Sequence, residues 1–410
     1  MKSGQNKILY LEGLRGIAAF IVVVHHFICA FYPALYSGNP SESHFQNTAT
    51  ERAIAISPVS ILYNGNLAVC IFFVLSGFVL SYKFFVTDSS AALITMGIKR
   101  YPRLIIPVAA SSLLTYGILK WGYIIPWYKG CFTNSDWLCD LWPTNGNWWH
   151  FIKTTFINVP LKGSSDYNTV LWTMEYELKG SVLLILFCFS LILLKKIKWA
   201  LYLIGIALCF VFKEFYYLAF LAGIGLCYLS AKKTDIGLFE FSTKKVKFFL
   251  CLLLIFVFII FGSFPGVNIL PFSGFLFFPI NHSLITPEQT AALYHSLAAS
   301  ALLCIVLLSG GLKNFLSKKI FVYLGKISFS MYLLHVLIIG LLTHLMAYLS
   351  GMQEGTKYHL AAIAVFIIYL LVVFILSELF YRWVDRPAVK FSNWFGKKAA
   401  DLVLPKKNSV

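Results

Sequence analysis

Ten long apolar stretches run through this chain, near residues 9–32, 62–82, 104–121, 170–194, 199–213, 215–231, 248–264, 292–311, 327–349 and 359–381. Hydrocarbon offers no partner to a backbone N–H or C=O, so an apolar segment of about 20 residues is read as a membrane-spanning helix. Charged residues make up only 12% of the 410, about half of what soluble domains carry. The expected fold is all-α: a polytopic integral membrane protein of about ten transmembrane helices. Residues 1–390 read as one transmembrane domain and 391–410 as a basic tail. No polar stretch is long enough for a separate soluble domain. The first apolar stretch lacks the small-residue cleavage site of a removed signal peptide and is read as retained.

The formal net charge of +17 suggests nucleic acid until the charges are placed. With the N-terminus inside, the inner segments hold 25 of the 34 lysines and arginines. Only Arg52, Lys120, Lys129, Lys153, Lys162, Lys213 and Lys357 fall outside. This asymmetry predicts both termini in the cytoplasm and makes the lipid bilayer, not nucleic acid, the partner of the basic charge. The nine cysteines fall mostly within spans, as small core hydrophobes. Cys131 and Cys139 share an outer loop, where a disulfide forms if that side is oxidising. No Cys/His spacing resembles a zinc site, and no metal is expected.

Ionisable groups inside spans are costly and usually functional. The first span carries Glu12, Arg15, His25 and His26. Arg15 and His26 are eleven residues apart, about three turns, so they share one helix face about 16 Å apart along the axis. They are the first candidates for chemistry. Each polar group also has a structural reading: Glu12 with Arg15 as a local ion pair, His25 and His344 as packed histidines, and His335 as interhelical glue. Glu175 and Glu177 face different sides of a helix, and one of them can pair with Lys179. Ser76-Gly77 offers a small-residue site for close helix approach.

Three segments lie outside the simple spans. Residues 121–172 hold Trp121, Trp127, Trp137, Trp142, Trp148, Trp149 and Trp172; they form either an interfacial belt or a stacking platform for a sugar acceptor. The segment 264–288 carries Pro265, Pro271, Pro279 and Pro287 and either dips into the membrane or merely connects. The inner segment 98–107, with Arg100 and Arg103, reads as a loop at the cytoplasmic mouth of the third span, able to anchor it or to bind phosphate.

Arg15 followed by His26 after Glu12-Gly13-Leu14 resembles the opening motif of the membrane acyltransferase 3 family. In order along the chain, similar pieces follow: Phe72-Phe73-Val74-Leu75-Ser76-Gly77-Phe78, Arg100/Arg103 with Pro107, Trp172-Thr173-Met174 with Glu177, and Ser328-Phe329-Ser330-Met331-Tyr332 with His335. Glu378, Tyr381-Arg382 and Asp385-Arg386-Pro387 are similar to the family's closing segment. The chain departs where Leu178 follows Glu177 in place of a second acid, where Gly65-Asn66-Leu67 stands for a frequent Gly-Val-Asp, and in lacking a hydrolase-like C-terminal domain that some members carry.

The resemblance implies transfer of an acyl group, usually acetyl, from cytoplasmic acetyl-CoA to a hydroxyl of a cell-surface glycan or its lipid-linked precursor, in a bacterial inner membrane. On it, His26 is the base or a transient acyl carrier. Arg15, Arg100 and Arg103 bind the donor's phosphates. Glu177 orients His26 or bonds the acceptor, and Trp172, Ser330, Tyr332 and His335 line the cavity. A transporter remains the alternative, since intramembrane Arg, His and Glu serve transport equally well.

Overall fold

The computed structural model describes residues 8–45, 47–87, 89–122, 132–142, 146–231, 243–265 and 285–403. Every regular element among them is a helix. In chain order the long ones are α1 (Leu9–Phe31), α2 (Gly65–Thr87), α3 (Ser90–Lys120), α4 (Thr173–Leu193), α5 (Lys198–Val211) and α6 (Tyr216–Ala231). They continue with α7 (Lys244–Gly262), α8 (Pro287–Leu308), α9 (Lys319–Ser350), α10 (Thr356–Phe380) and α11 (Arg386–Val403). Eight helices among the described residues are long and apolar enough to cross a membrane, and α5 and α6 are shorter apolar helices. At about 1.5 Å per residue, α5 and α6 fall short of a hydrocarbon core about 30 Å thick.

Helices α1, α2, α8 and α9 are the buried centre of the bundle, with about two thirds of their apolar windows inside the protein; for α7 the share is 6%. α1 packs most extensively along α9, and α2 along α6. Glycine makes both contacts. A Cβ on Gly16 would lie 2.4 Å from the Gly325 nitrogen, and one on Gly325 would lie 2.0 Å from the Glu12 carbonyl oxygen. Gly77 of α2 and Gly223 of α6 meet the opposing backbone in the same way, at 2.2 Å and 2.1 Å. Without a hydrophobic drive between helices in lipid, such close backbone approach is what holds them.

Two expectations are revised. The segment 98–107 is no loop: α3 runs unbroken from Ser90, with Pro102 and Pro107 inside it. Each proline removes a helical hydrogen bond, but Leu93 and Met96 are buried in the preceding turns, and α11 packs along this stretch. Residues 391–403, set apart as a tail, belong to α11, which the π-helical turn Tyr381–Asp385 folds back onto α3. Beyond Val403, and for the proposed Cys131–Cys139 pairing, Trp127, Pro271 and Pro279, the expectations fall outside the described residues.

Candidate active site

Ten residues above the Gly16–Gly325 contact on each of α1 and α9 stand His26 and His335. Ten residues is an a-to-d spacing in a heptad seam, so two parallel helices in contact at one level meet again there. The rings are 4.9 Å apart between centroids, with Nε2 of His335 3.0 Å from Nδ1 of His26. Each ring also points Nδ1 at the carbonyl four residues back: His335 to Met331 at 2.9 Å, His26 to Val22 at 3.0 Å.

Donor bookkeeping assigns the protons of the neutral pair. A carbonyl only accepts, so Nδ1 of His335 carries the hydrogen and its Nε2 the lone pair. His26 must then donate from Nδ1, shared between Val22 and His335. The lone pair of His26 is left on Nε2. That is the basic atom of the pair. His25 is buried and stands edge-on to His26, with centroids 5.0 Å apart, but its nitrogens are engaged elsewhere: Nδ1 is 2.9 Å from the Tyr63 carbonyl and Nε2 3.5 Å from Cys29 Sγ.

The tryptophan-rich segment divides in two. Trp121, Trp148 and Trp149 are exposed, as an interfacial belt requires. Trp137, in the short helix Asp136–Cys139, instead lies over His26, with centroids 5.2 Å apart and planes at 39°. Ser135 fixes that helix by donating to the Cys29 carbonyl at 2.6 Å, one of the carbonyls α1 leaves unpaired at its C-terminus. Tyr358 takes the Phe31 carbonyl at 2.7 Å. Trp142 packs the outer edge of its ring on Gly340, where a Cβ would meet it at 2.1 Å, and Asn168 donates to the Leu333 carbonyl at 2.7 Å. Through Ser135, Trp137, Trp142 and Asn168, the described parts of the segment after α3 are thus pinned to α1 and α9 as a cap above the histidines.

Below the pair, polar groups form a second cluster. Arg100 is ion-paired with Glu177 and donates from Nε to Ser181 Oγ at 2.8 Å. Ser76 donates to the other Glu177 oxygen at 2.8 Å. The charges of Arg15 and Arg103 both act on Arg100. Arg103 reaches Asp385 at 2.5 Å and lies over the Phe329 ring at 5.5 Å. Arg15 makes a loose pair with Glu12 at 3.5 Å. Lys179 is paired with Glu175, on another side of α4 from Glu177. Glu378 pairs with Arg382 at 2.6 Å and Lys326 at 3.7 Å.

Between the clusters, Tyr332 has its ring 6.0 Å from His335 and its hydroxyl 2.6 Å from Thr173 Oγ1 and 2.8 Å from the Val170 carbonyl. Ser330 is buried with its hydroxyl unpartnered among the described residues. Trp172 belongs to an aromatic cluster with Tyr176 and Tyr216 and stacks on neither histidine. The structure therefore brings His26, His335 and Tyr332 together and gathers Arg15, Arg100 and Arg103. It places Glu177 with Arg100 and Ser76, where it touches neither histidine. Sequence reasoning gave Ser76, Ser135 and Asn168 no site role, and counted Trp137 only as one tryptophan among seven.

This is a polytopic helical membrane protein in which a half-buried histidine, His26, is bonded to a buried one, His335, beneath Trp137 and above a cluster of three arginines. A family model described as an acyltransferase domain, acyltransferase 3, matches residues 8–382. The chain belongs to that family, and its membrane helices are those of an acyltransferase. No curated protein and no solved structure matches the chain.

Proposed function

We propose that the protein is a membrane O-acyltransferase that moves an acetyl group from acetyl-CoA on the cytoplasmic side to a hydroxyl of a cell-surface glycan or its lipid-linked precursor. The bacterial inner membrane is the setting, with both termini in the cytoplasm. The observation that carries the reading is the His26–His335 bond, which leaves the lone pair of His26 on Nε2 under the Trp137 ring. An acceptor hydroxyl is a poor nucleophile until a base takes its proton. Here the proton passes to His26 Nε2, the acceptor oxygen attacks the thioester carbonyl, and the carbon–sulfur bond breaks. The proton on His26 then returns to the leaving thiolate, giving the ester and free coenzyme A. His335 accepts from His26 Nδ1–H throughout and stabilises the transient imidazolium.

Arg15, Arg100 and Arg103 are the groups for the donor's phosphates. A guanidinium has five N–H donors, and the contacts of Arg100 with Glu177 and Ser181 leave N–H groups for a ligand. Glu177 holds Arg100 rather than orienting His26. The long arm of the donor then rises along α1, about 16 Å from Arg15 to His26, and Trp137 supplies a flat face on which a sugar can stack.

The test is purified protein in detergent with labelled acetyl-CoA. Thioester turnover that disappears in His26→Ala supports the enzyme. Uptake of label into vesicles without turnover replaces it with a transporter. Unchanged donor affinity and turnover in Arg15→Ala removes that residue from the donor site. Surface glycans that keep all their ester-linked acetyl groups when the gene is deleted exclude a glycan acceptor.

A further inference from the structure

Away from the histidines, a cavity of about 780 Å³ lies among α2, α4, α5, α6, α7 and α8. That is within the range of small-molecule sites, about 300–1,000 Å³. Its walls on two helices are regular stripes. Ala222, Gly225, Leu226 and Leu229 mark one face of α6, and Leu254, Val257 and Phe261 one face of α7. Stripes of this spacing ordinarily pack helix against helix. Here α7 packs on α8 and has no substantial contact with α5 or α6, so among the described residues the stripes stand apart and leave a half-open space between them.

The polar atoms of the walls say what can fill it. Tyr202 spends its hydroxyl on the Leu221 carbonyl at 2.6 Å, and Ser300 on the Ser296 carbonyl at 2.6 Å. Neither has a proton left for a ligand, and the rest of the interior is aliphatic or aromatic. A polar guest would lose its hydration without replacement. Lys198 differs. Its ammonium donates to Tyr228 OH at 2.8 Å and lies over the rings of Tyr228 and Trp199, at 5.2 Å and 5.6 Å. An ammonium has three protons, and among the described residues no carboxylate pairs with it. Lys196, two residues earlier, is exposed. Lys198 therefore forms a cationic, aromatic-flanked mouth at the lysine-rich end of an apolar slot.

We propose that this cavity binds one acyl chain of an anionic membrane phospholipid, with the lipid phosphate on Lys198. The slot runs upward from that mouth, from Phe85 at the end of α2 to Phe261 and Leu297, as a chain enters a leaflet from its headgroup. Basic pockets between membrane helices on the cytoplasmic side recognise anionic headgroups by this charge pairing. The proposal does not depend on acyl transfer, and its ligand is separate from the arginine cluster of α1 and α3.

The full-length protein, in nanodiscs of phosphatidylethanolamine and phosphatidylglycerol, is labelled with phosphatidylglycerol carrying a diazirine in one acyl chain. A phosphatidylcholine probe with the same chain serves as control. Adducts are expected on residues 222–229 and 254–261, with phosphatidylglycerol preferred about fivefold, the weight of one interfacial cation. Lys198→Gln should erase the preference, and Ala222→Phe should remove the adducts by filling the slot. Leu254→Trp fills it from the lipid-facing side of α7 and serves if Ala222→Phe fails to fold. Equal labelling by the two probes in the parent protein, or adducts that survive both filling variants, would overturn the proposal. So would a polyprenyl phosphate or a fatty acyl thioester as the main lipid extracted with the pure protein.

Discussion

Replacing His335 with alanine tests whether the pair works as a pair. The structure gives His335 no free proton to offer: its Nδ1 hydrogen is committed to Met331 and its Nε2 accepts from His26. Its contribution is therefore one hydrogen bond, which becomes charge-assisted when His26 is protonated. Hydrogen bonds to charged groups contribute about 1.5–3 kcal/mol, a factor of about 10–150 in rate. His335→Ala should lower kcat by that factor, with little change in KM for the acyl donor. His26→Ala should cost more, since it removes the base itself and about 10²–10⁴ with it. The double variant should be no slower than His26→Ala, because His335 acts only through His26. His335→Gln, whose side-chain carbonyl can accept at similar reach, should recover part of the loss. The assay is steady-state release of free coenzyme A by protein matched for folding in size-exclusion profiles. The reasoning is refuted if His335→Ala stays within twofold of the parent, or if it falls as far as His26→Ala. The latter would make His335 the base.

Gly16→Leu should separate α1 from α9, since even its Cβ would meet the Gly325 nitrogen at 2.4 Å; overpacking of about 1–3 kcal/mol would appear as a lower melting temperature and lost turnover. Glu177→Ala leaves Arg100 buried and unpaired, a loss of about 3–5 kcal/mol. Glu177→Leu with Arg100→Met should regain thermal stability in detergent without regaining activity. Burial pushes the His44 imidazole below its ordinary value, although its bond to the Thr133 carbonyl at 2.9 Å and the charge of Glu354 oppose the shift. A depressed histidine favours the folded form when neutral, so cap docking should be full above about pH 6.5 and weaken as pH falls below it. Hydrogen exchange around Thr133 measures this, and His44→Gln should flatten the profile.

Much of this arrangement was legible because membranes penalise charge. Arg15 and His26 stand out by cost and share a helix face by spacing, and Ser76-Gly77 marks a close helix contact whose partner is the Gly223 stretch of α6. What stayed hidden was pairing across helices. Nothing local tells Glu177 that it will meet Arg100, which lies in another helix on a stretch that reads as a loop. Pro102 and Pro107 argue against a helix in isolation, and Arg100 and Arg103 against a place in hydrocarbon; only the packing of α11 and the burial of Leu93 and Met96 overrule them. Trp137 was equally opaque among its neighbours, because its position depends on Ser135 finding a bare carbonyl at the end of α1.

The equal ten-residue offsets carry the strongest link between fold and chemistry. A glycine contact fixes how closely two parallel helices approach at one level, but not which side chains meet further along. That depends on register. Gly16 to His26 and Gly325 to His335 repeat the same spacing, so the contact that holds α1 against α9 also sets the histidine bond. A one-residue insertion between Gly325 and His335 would rotate His335, and Gly340 beyond it, by about 100° relative to the Gly16–Gly325 contact. It should abolish turnover. A second insertion of three residues further along, which brings the register close to a full turn, should restore His335 no better, since the ring itself stays displaced. Retained activity in the one-residue insertion variant would mean that the pairing of the two rings is incidental to the reaction.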